Sequence, residues 1–193
     1  MDHLEYFRKN ITASIEVKRA LLDSEEIQEK IYAAAEICLH ALREGNKIMI
    51  AGNGGSAADA QHIAGELVSR FEFNRPGLPA IALTTDTSIL TAVGNDYGFE
   101  YLFARQLEAL GNDGDVFIGI STSGNSPNIL ASMETAKTRG IRSIALGGDG
   151  GRMQTLADIC ISVPSSHTPR IQESHILIGH MLCGYVEERF FHG

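Results

Sequence analysis

The sequence predicts an α/β fold built on a doubly wound parallel sheet, and three observations carry that prediction. From residue 46 onward, short apolar runs alternate with stretches of helical periodicity, the order that builds parallel sheets through helical crossovers. Each run is too short for a helix, and most end in Gly, Ser or Thr. Residues 1–45, by contrast, contain one glycine, Gly45, and no proline, so a purely helical segment precedes the sheet.

The elements follow in order. Leu4, Phe7, Ile11 and Ile15 recur at three- and four-residue steps and predict a first helix. Asp23 or Ser24 caps a second, with Glu26 three residues after Asp23 as in a capping box. Ile27, Ile31, Ala34, Cys38 and Leu42 make its apolar stripe, and Gly45 stops it. Two helices that are each apolar on one side need a cover, either the body of the domain or a partner subunit. Strands are expected at 47–51, 78–83, 115–120, 143–146 and 159–163, and helices near 56–72, 98–110 and 126–139. A last helix opens at Thr168-Pro169, read as N-cap and first helical residue, and runs apolar through Ile171, Ile178, Leu182, Val186 and Phe190. With no repeat, linker or low-complexity tract, residues 1–193 read as one domain, a helical pair over 1–45 and an α/β body over 46–193.

Composition bounds the partners. The chain has 193 residues; 16 basic and 24 acidic side chains leave a net charge of −8, which speaks against a broad nucleic-acid-binding face. Taken globally it also speaks against small anionic ligands, so any such ligand has to be held by local features. With 44% hydrophobic and 21% charged residues the chain is globular and not disordered. No apolar run approaches the ~18 residues of a membrane span, and the amphipathic N-terminus does not read as a signal peptide. Cys38, Cys160 and Cys183 are odd in number, lack CxxC spacing and sit among apolar residues. They read as buried thiols in a reducing cytoplasm.

Two strand-to-helix loops suit anion chemistry. The first is Gly52-Asn53-Gly54-Gly55-Ser56; the second is Ser121-Thr122-Ser123-Gly124-Asn125-Ser126. Glycines let backbone N–H groups approach a ligand, hydroxyls donate to anionic oxygens, and the helix behind adds the positive end of its dipole. Neither loop is a Walker A or a GxGxxG motif. Two tight turns of this kind on successive crossovers favour a phosphate site over mere turn geometry.

Polar residues also recur within the helices. His62 and Glu66 stand four apart, and Arg70 would extend their face by a further turn. Gln172 and His180 lie within about 80° of one another around the last helix, at ~100° per residue. Imidazoles, a carboxylate and an amide can make a zinc set, Glu66 can act as a general base, and His180 can move protons near neutral pH. Equally, His62 and Glu66 can be a surface pair and His180 a core histidine; spacing alone does not join residue 66 to residue 180.

The stretch Gly52-Asn53-Gly54-Gly55-Ser56-Ala57-Ala58-Asp59-Ala60-Gln61-His62 resembles the sugar isomerase (SIS) domain family. Matching segments are Asn74-Arg75-Pro76-Gly77, Val93-Gly94-Asn95-Asp96-Tyr97-Gly98, residues 119–126 and Arg170-Ile171-Gln172-Glu173, so the likeness covers essentially the whole chain. It is narrowest to the branch that isomerises sedoheptulose 7-phosphate to D-glycero-D-manno-heptose 7-phosphate through an enediol, opening the supply of heptose precursors for lipopolysaccharide or capsule. The resemblance implies a flavodoxin-like αβα sandwich with a five-stranded parallel sheet, assembled as a homotetramer with active sites between subunits. It implies that Ser121, Thr122, Ser123 and Ser126 cradle the phosphate. Asn53, Gly54, Gly55, Ser56, Arg70, Asn95, Asp96 and Gln172 would join Glu66 in contacting the sugar. It further implies zinc at His62, Glu66, Gln172 and His180, with Glu66 and His180 as the acid/base pair. Pro169 departs from the pattern, standing where some relatives carry an acidic residue.

The residues also fit two other kinds of protein. One is a non-enzymatic relative that associates with the bacterial replication initiator, similar in Ser56-Ala57-Ala58 and Ala80-Ile81-Ala82-Leu83 but lacking counterparts of Glu66 and His180. The other is an isomerase for a different phosphosugar.

Overall fold

The computed structural model describes residues 3–193, so residues 1 and 2 of the expected N-terminal pair lie outside it. Helices α1 (His3–Asp23) and α2 (Glu25–Arg43) form that pair. Ser24, not Asp23, caps α2, its hydroxyl accepting from the Ile27 N–H at 3.3 Å. Gly45, at φ +80°, closes the helix as the glycine signal requires.

The body comprises β1 (Ile48–Gly52), α3 (Gly55–Val68), β2 (Ala80–Ala82), α4 (Thr87–Asp96) and α5 (Ala104–Leu110). There follow β3 (Val116–Ser121), α6 (Pro127–Thr138), β4 (Arg142–Gly147), α7 (Met153–Leu156), β5 (Ile159–Ser162) and α8 (Thr168–His192). All five strands are parallel, in the order β2-β1-β3-β4-β5. Alternate residues of each strand face opposite ways, and in the central strands β1, β3 and β4 both ways are covered. Ile48, Ile50, Ile118 and Ile144 pack with α2, α3 and α8; Met49, Phe117 and Ala145 pack with α4 to α7. That double cover explains why the central strands read as continuous apolar runs instead of alternating ones. At ~1.5–3 kcal/mol per fully buried aliphatic side chain, these two cores hold the sandwich together. Helix α1 lies outside, against α8, where Ser14 Oγ donates to Glu173 at 2.7 Å and Arg170 donates to the Asn10 carbonyl.

Four expectations need correction. Strand β2 is only three residues long because Pro79 offers no N–H to the ladder at its start. Helix α3 ends at Val68 instead of 72, so Arg70 leaves the helix and does not extend the His62–Glu66 face. The stretch 98–110 divides into a single turn at Phe99–Tyr101 and the helix α5, after an unpredicted α4 capped by Asp86. Finally, His167 is the N-cap of α8, and Thr168 is already helical.

Candidate active site

The strand order turns back between β1 and β3, and in open α/β sheets ligands bind outside the carboxyl ends of the strands at that switch point. Both glycine- and serine-rich loops stand there, one after each of these two strands. Gly54 takes φ +57°, ψ −119°, a conformation that L side chains avoid. Beside it, a Cβ on Gly55 would fall 2.7 Å from Gln172 Nε2, so the amide of α8 rests on the first loop. In the second loop Ser121 Oγ lies 2.8 Å from Ser126 Oγ and 3.4 Å from Ser123 Oγ, drawing three hydroxyls together. Thr122 is half-buried between them.

The loops are tied to one another. Asn53 Nδ2 donates to Asn128 Oδ1 at 2.9 Å, and Asn128 Nδ2 returns a bond to Asn53 Oδ1 at 2.8 Å. Asn128 is wholly buried and was not read as a site residue; an Asn on an apolar helix next to the hydroxyl loop was the available signal. A second support comes from Gly150 and Gly151. A Cβ on Gly124 would meet the Gly150 carbonyl at 2.5 Å, and the Arg152 N–H donates to Asn125 Oδ1 at 3.0 Å.

Helices α2 and α4 are capped by their own side chains, whereas neither α3 nor α6 has a side-chain cap. Ser126, the N-cap of α6, turns its hydroxyl to Ser121 instead. The Ser56 and Ala57 N–H groups turn back to the Asn53 and Gly54 carbonyls and the Ile129 N–H to that of Ser126, so what both site helices offer a ligand is chiefly the positive end of their dipoles.

About two turns into α3, that helix and α8 run side by side and bring together residues that spacing could not connect. His62 Nε2 lies 2.9 Å from His180 Nε2 and 3.2 Å from Glu66 Oε1. The ligand-capable atoms of these three all lie within 4.8 Å of one another. Gly179 permits the approach: a Cβ there would meet Ile63 Cδ1 at 2.7 Å. Such a trio suits a cation. A single imidazole nitrogen cannot with one proton satisfy both a second imidazole nitrogen and a carboxylate, whereas a metal among them satisfies all three. Donors at ~2.0–2.1 Å from a tetrahedral zinc stand roughly 3.3 Å apart, close to the separations observed.

Asn95 and Asp96 are carried by α4, not by α3 or α8. They sit exposed at the end of α4, Asn95 Nδ2 donating to Asp96 at 2.7 Å. Arg70 is likewise exposed. Burial raises the Asp59 carboxyl, one turn before His62, above its ordinary range, while the nearby imidazole pulls it down. Burial pushes the Cys38 and Cys183 thiols up to about 12, as inert core cysteines require.

A parallel sandwich with paired glycine- and hydroxyl-rich loops at its switch point has the architecture of a phosphosugar-type SIS domain. The SIS domain profile matches residues 11–148. The phosphoheptose isomerase of Aneurinibacillus thermoaerophilus is 60% identical over 188 residues, 97% of this chain and 95% of that protein. Phosphoheptose isomerase 2 of Campylobacter jejuni is 60% identical over 187 residues, 96% and 93% of the respective chains. The solved phosphoheptose isomerase of Francisella tularensis superposes with a TM-score of 0.92 at 41% identity, covering 97% of this chain and 100% of its own. This chain belongs to the SIS domain family, in the company of its phosphoheptose isomerases.

Proposed function

We propose that this chain is an aldose–ketose isomerase that converts sedoheptulose 7-phosphate to D-glycero-D-manno-heptose 7-phosphate. The convergence of His62, Glu66 and His180, with the two phosphate-type loops beyond them, carries the reading. Similarity to the named isomerases supports it over nearly the full length. The substrate bears its phosphate and its carbonyl at opposite ends, and the site has two corresponding parts. Ser121, Thr122, Ser123 and Ser126, at the dipole-positive start of α6, take the phosphate; Asn53, Gly54, Gly55, Ser56, Gln172, and more distantly Arg70, Asn95 and Asp96, take the sugar. Neutral donors suffice, so the acidic surface is no obstacle.

Glu66 removes a proton from C1 of the ketose, the electrons form the C1–C2 double bond of an enediol, and the same carboxyl returns a proton to C2. His180 carries the hydroxyl proton from O1 to O2, so atoms and charge balance across the step. We assign zinc to His62, Glu66 and His180; the Gln172 amide, which rests against Gly55 of the first loop, would have to turn toward the trio to serve as fourth ligand, and the metal would supply polarisation of the sugar oxygens. The donor chemistry of the trio supports that assignment.

We further propose one SIS domain acting in the cytoplasm as a homotetramer with sites completed between subunits. The face of α1 supports the assembly: Phe7 and Ile11 are 59% and 60% exposed, and a hollow lined by Leu21, Leu22, Tyr32 and Met181 lies at the other end of that helix. A regulator without chemistry would have no use for a base and two imidazoles in this arrangement. The test is sedoheptulose 7-phosphate consumption with and without a chelator: turnover is expected, lost on metal removal. Absence of turnover in folded, metal-loaded protein would refute the isomerase, and undiminished turnover in metal-free protein would refute the zinc assignment.

A further inference from the structure

The Asn74-Arg75-Pro76-Gly77 segment has no part in the scheme above, yet Arg75 is among the most heavily bonded side chains in the molecule. Its Nε donates to Glu187 Oε1 at 2.8 Å, and the two side chains are 2% and 1% exposed. Nη2 donates to the backbone carbonyl of Glu66 at 2.9 Å and Nη1 to that of Leu67 at 2.6 Å. These are carbonyls of the last turn of α3, which have no partner within the helix. Glu187, on α8, also accepts the N–H groups of Phe71 at 2.8 Å and Glu72 at 2.7 Å. The Phe71 ring then lies 5.5 Å from the His180 ring, tilted by 33°, and packs beside Gly184.

We infer that Arg75 and Glu187 are a positioning pair for the reaction, holding Glu66 and His180 in register across α3 and α8; this rests on the isomerase reading. One arm of the pair grips the peptide of Glu66 itself. The other fixes the backbone of Phe71, whose ring flanks the imidazole. Burying two charges costs more than packing two apolar side chains, and it is tolerated when the charged atoms are partnered, as all three guanidinium nitrogens and both carboxylate oxygens are here. A forked guanidinium delivers donors to a carboxylate and to two carbonyls at fixed angles; an ammonium cannot. The same pair explains why α3 stops at Val68: the chain folds back over its end to place Arg75 there.

The test uses Arg75→Lys and Phe71→Leu in the full chain, with folding checked by circular dichroism. Turnover is measured on folded protein, and the His180 ring cross-peaks are recorded at one pH by NMR on metal-free protein. Arg75→Lys is expected to lower kcat by ~10- to 100-fold, as small misplacements of reacting groups do. KM should stay within about twofold, because the phosphate loops are untouched. Phe71→Leu should move the His180 signals and lower kcat less. A folded Arg75→Lys with wild-type kcat, or with the loss confined to KM, would overturn the inference, as would unmoved His180 signals. If Arg75→Lys does not fold, Phe71→Leu decides: an unchanged kcat overturns it. Ring signals report geometry without turnover, so failure of the isomerase reading, seen as an inactive wild type, is distinguishable from failure of this one.

Discussion

Gly179 of α8 stands against Ile63 of α3, with no room for a side chain between them: a Cβ at 179 would lie 2.7 and 2.8 Å from two Ile63 atoms. The next residue on one helix and the preceding residue on the other are His180 and His62, whose Nε2 atoms are 2.9 Å apart. The close helix contact and the imidazole contact are one feature.

Gly179→Ala therefore separates the imidazoles. Overpacking costs ~1–3 kcal/mol, and the gain in helix propensity returns about 1 kcal/mol, so the thermal midpoint changes little or falls modestly. Turnover and zinc affinity should fall much more than stability does. Calorimetry beside a metal titration checks this; a variant that binds zinc like the wild type would show that the close approach is not needed.

Asn128→Ala removes half of the reciprocal amide pair and leaves Asn53 unpartnered next to the phosphate loops. The expected stability loss is ~1–3 kcal/mol. KM should rise more than kcat falls, because phosphate holding and not proton transfer is disturbed. Steady-state kinetics on the folded variant tells the two apart.

Much of this organisation can be read in the sequence, and what escapes does so for identifiable reasons. Each of the five strands overlaps its expected span: β1 and β3 are buried at every position and β4 at all but Arg142, which makes them apolar runs, while the partly buried edge strands β2 and β5 are short runs of apolar residues between turn signals. Helix α4 was missed because Thr87, Ile89, Thr91 and Val93 are β-branched and Gly94 follows, a pattern that favours extended chain; Asp86 and the packing of Val93 override it. The end of α3 escapes the local pattern because Arg75, eight and nine residues on, returns to cap the Leu67 and Glu66 carbonyls, a loop that periodicity does not reveal. The hydroxyl loop is visible as residue types, but the Asn53–Asn128 pair spans 75 positions and the His62–His180 pair 118. Such pairings come from strand order and helix packing, which local pattern does not encode.

His175 is wholly buried with Nε2 donating to the Gly147 carbonyl at 3.0 Å, beneath the glycine loop that supports the hydroxyl loop. Burial lowers its pKa below the ordinary 6.5, only partly opposed by that hydrogen bond. A depressed histidine pKa means the unfolded chain binds the proton first. The stability it contributes is complete above pH 6.5 and declines as pH falls from there toward its lowered folded value. Thermal midpoints measured between pH 7.5 and about 5 should fall more steeply for the wild type than for His175→Gln. Parallel curves would mean other groups dominate acid unfolding.

Zinc should be present in one-to-one ratio in purified protein and be lost in His62→Ala, because removing one imidazole leaves the trio short of a ligand. Elemental analysis decides it. Active protein free of metal would reject the zinc assignment while leaving Glu66 as base.

The central claim is that Glu66 is the base of an isomerase, and Glu66→Gln tests it most directly. The amide keeps the size of the side chain and cannot take a proton. Conversion of sedoheptulose 7-phosphate to the aldose, followed by NMR, should fall by ~10²- to 10⁴-fold in a folded variant. Wild-type conversion by folded Glu66→Gln would contradict the account.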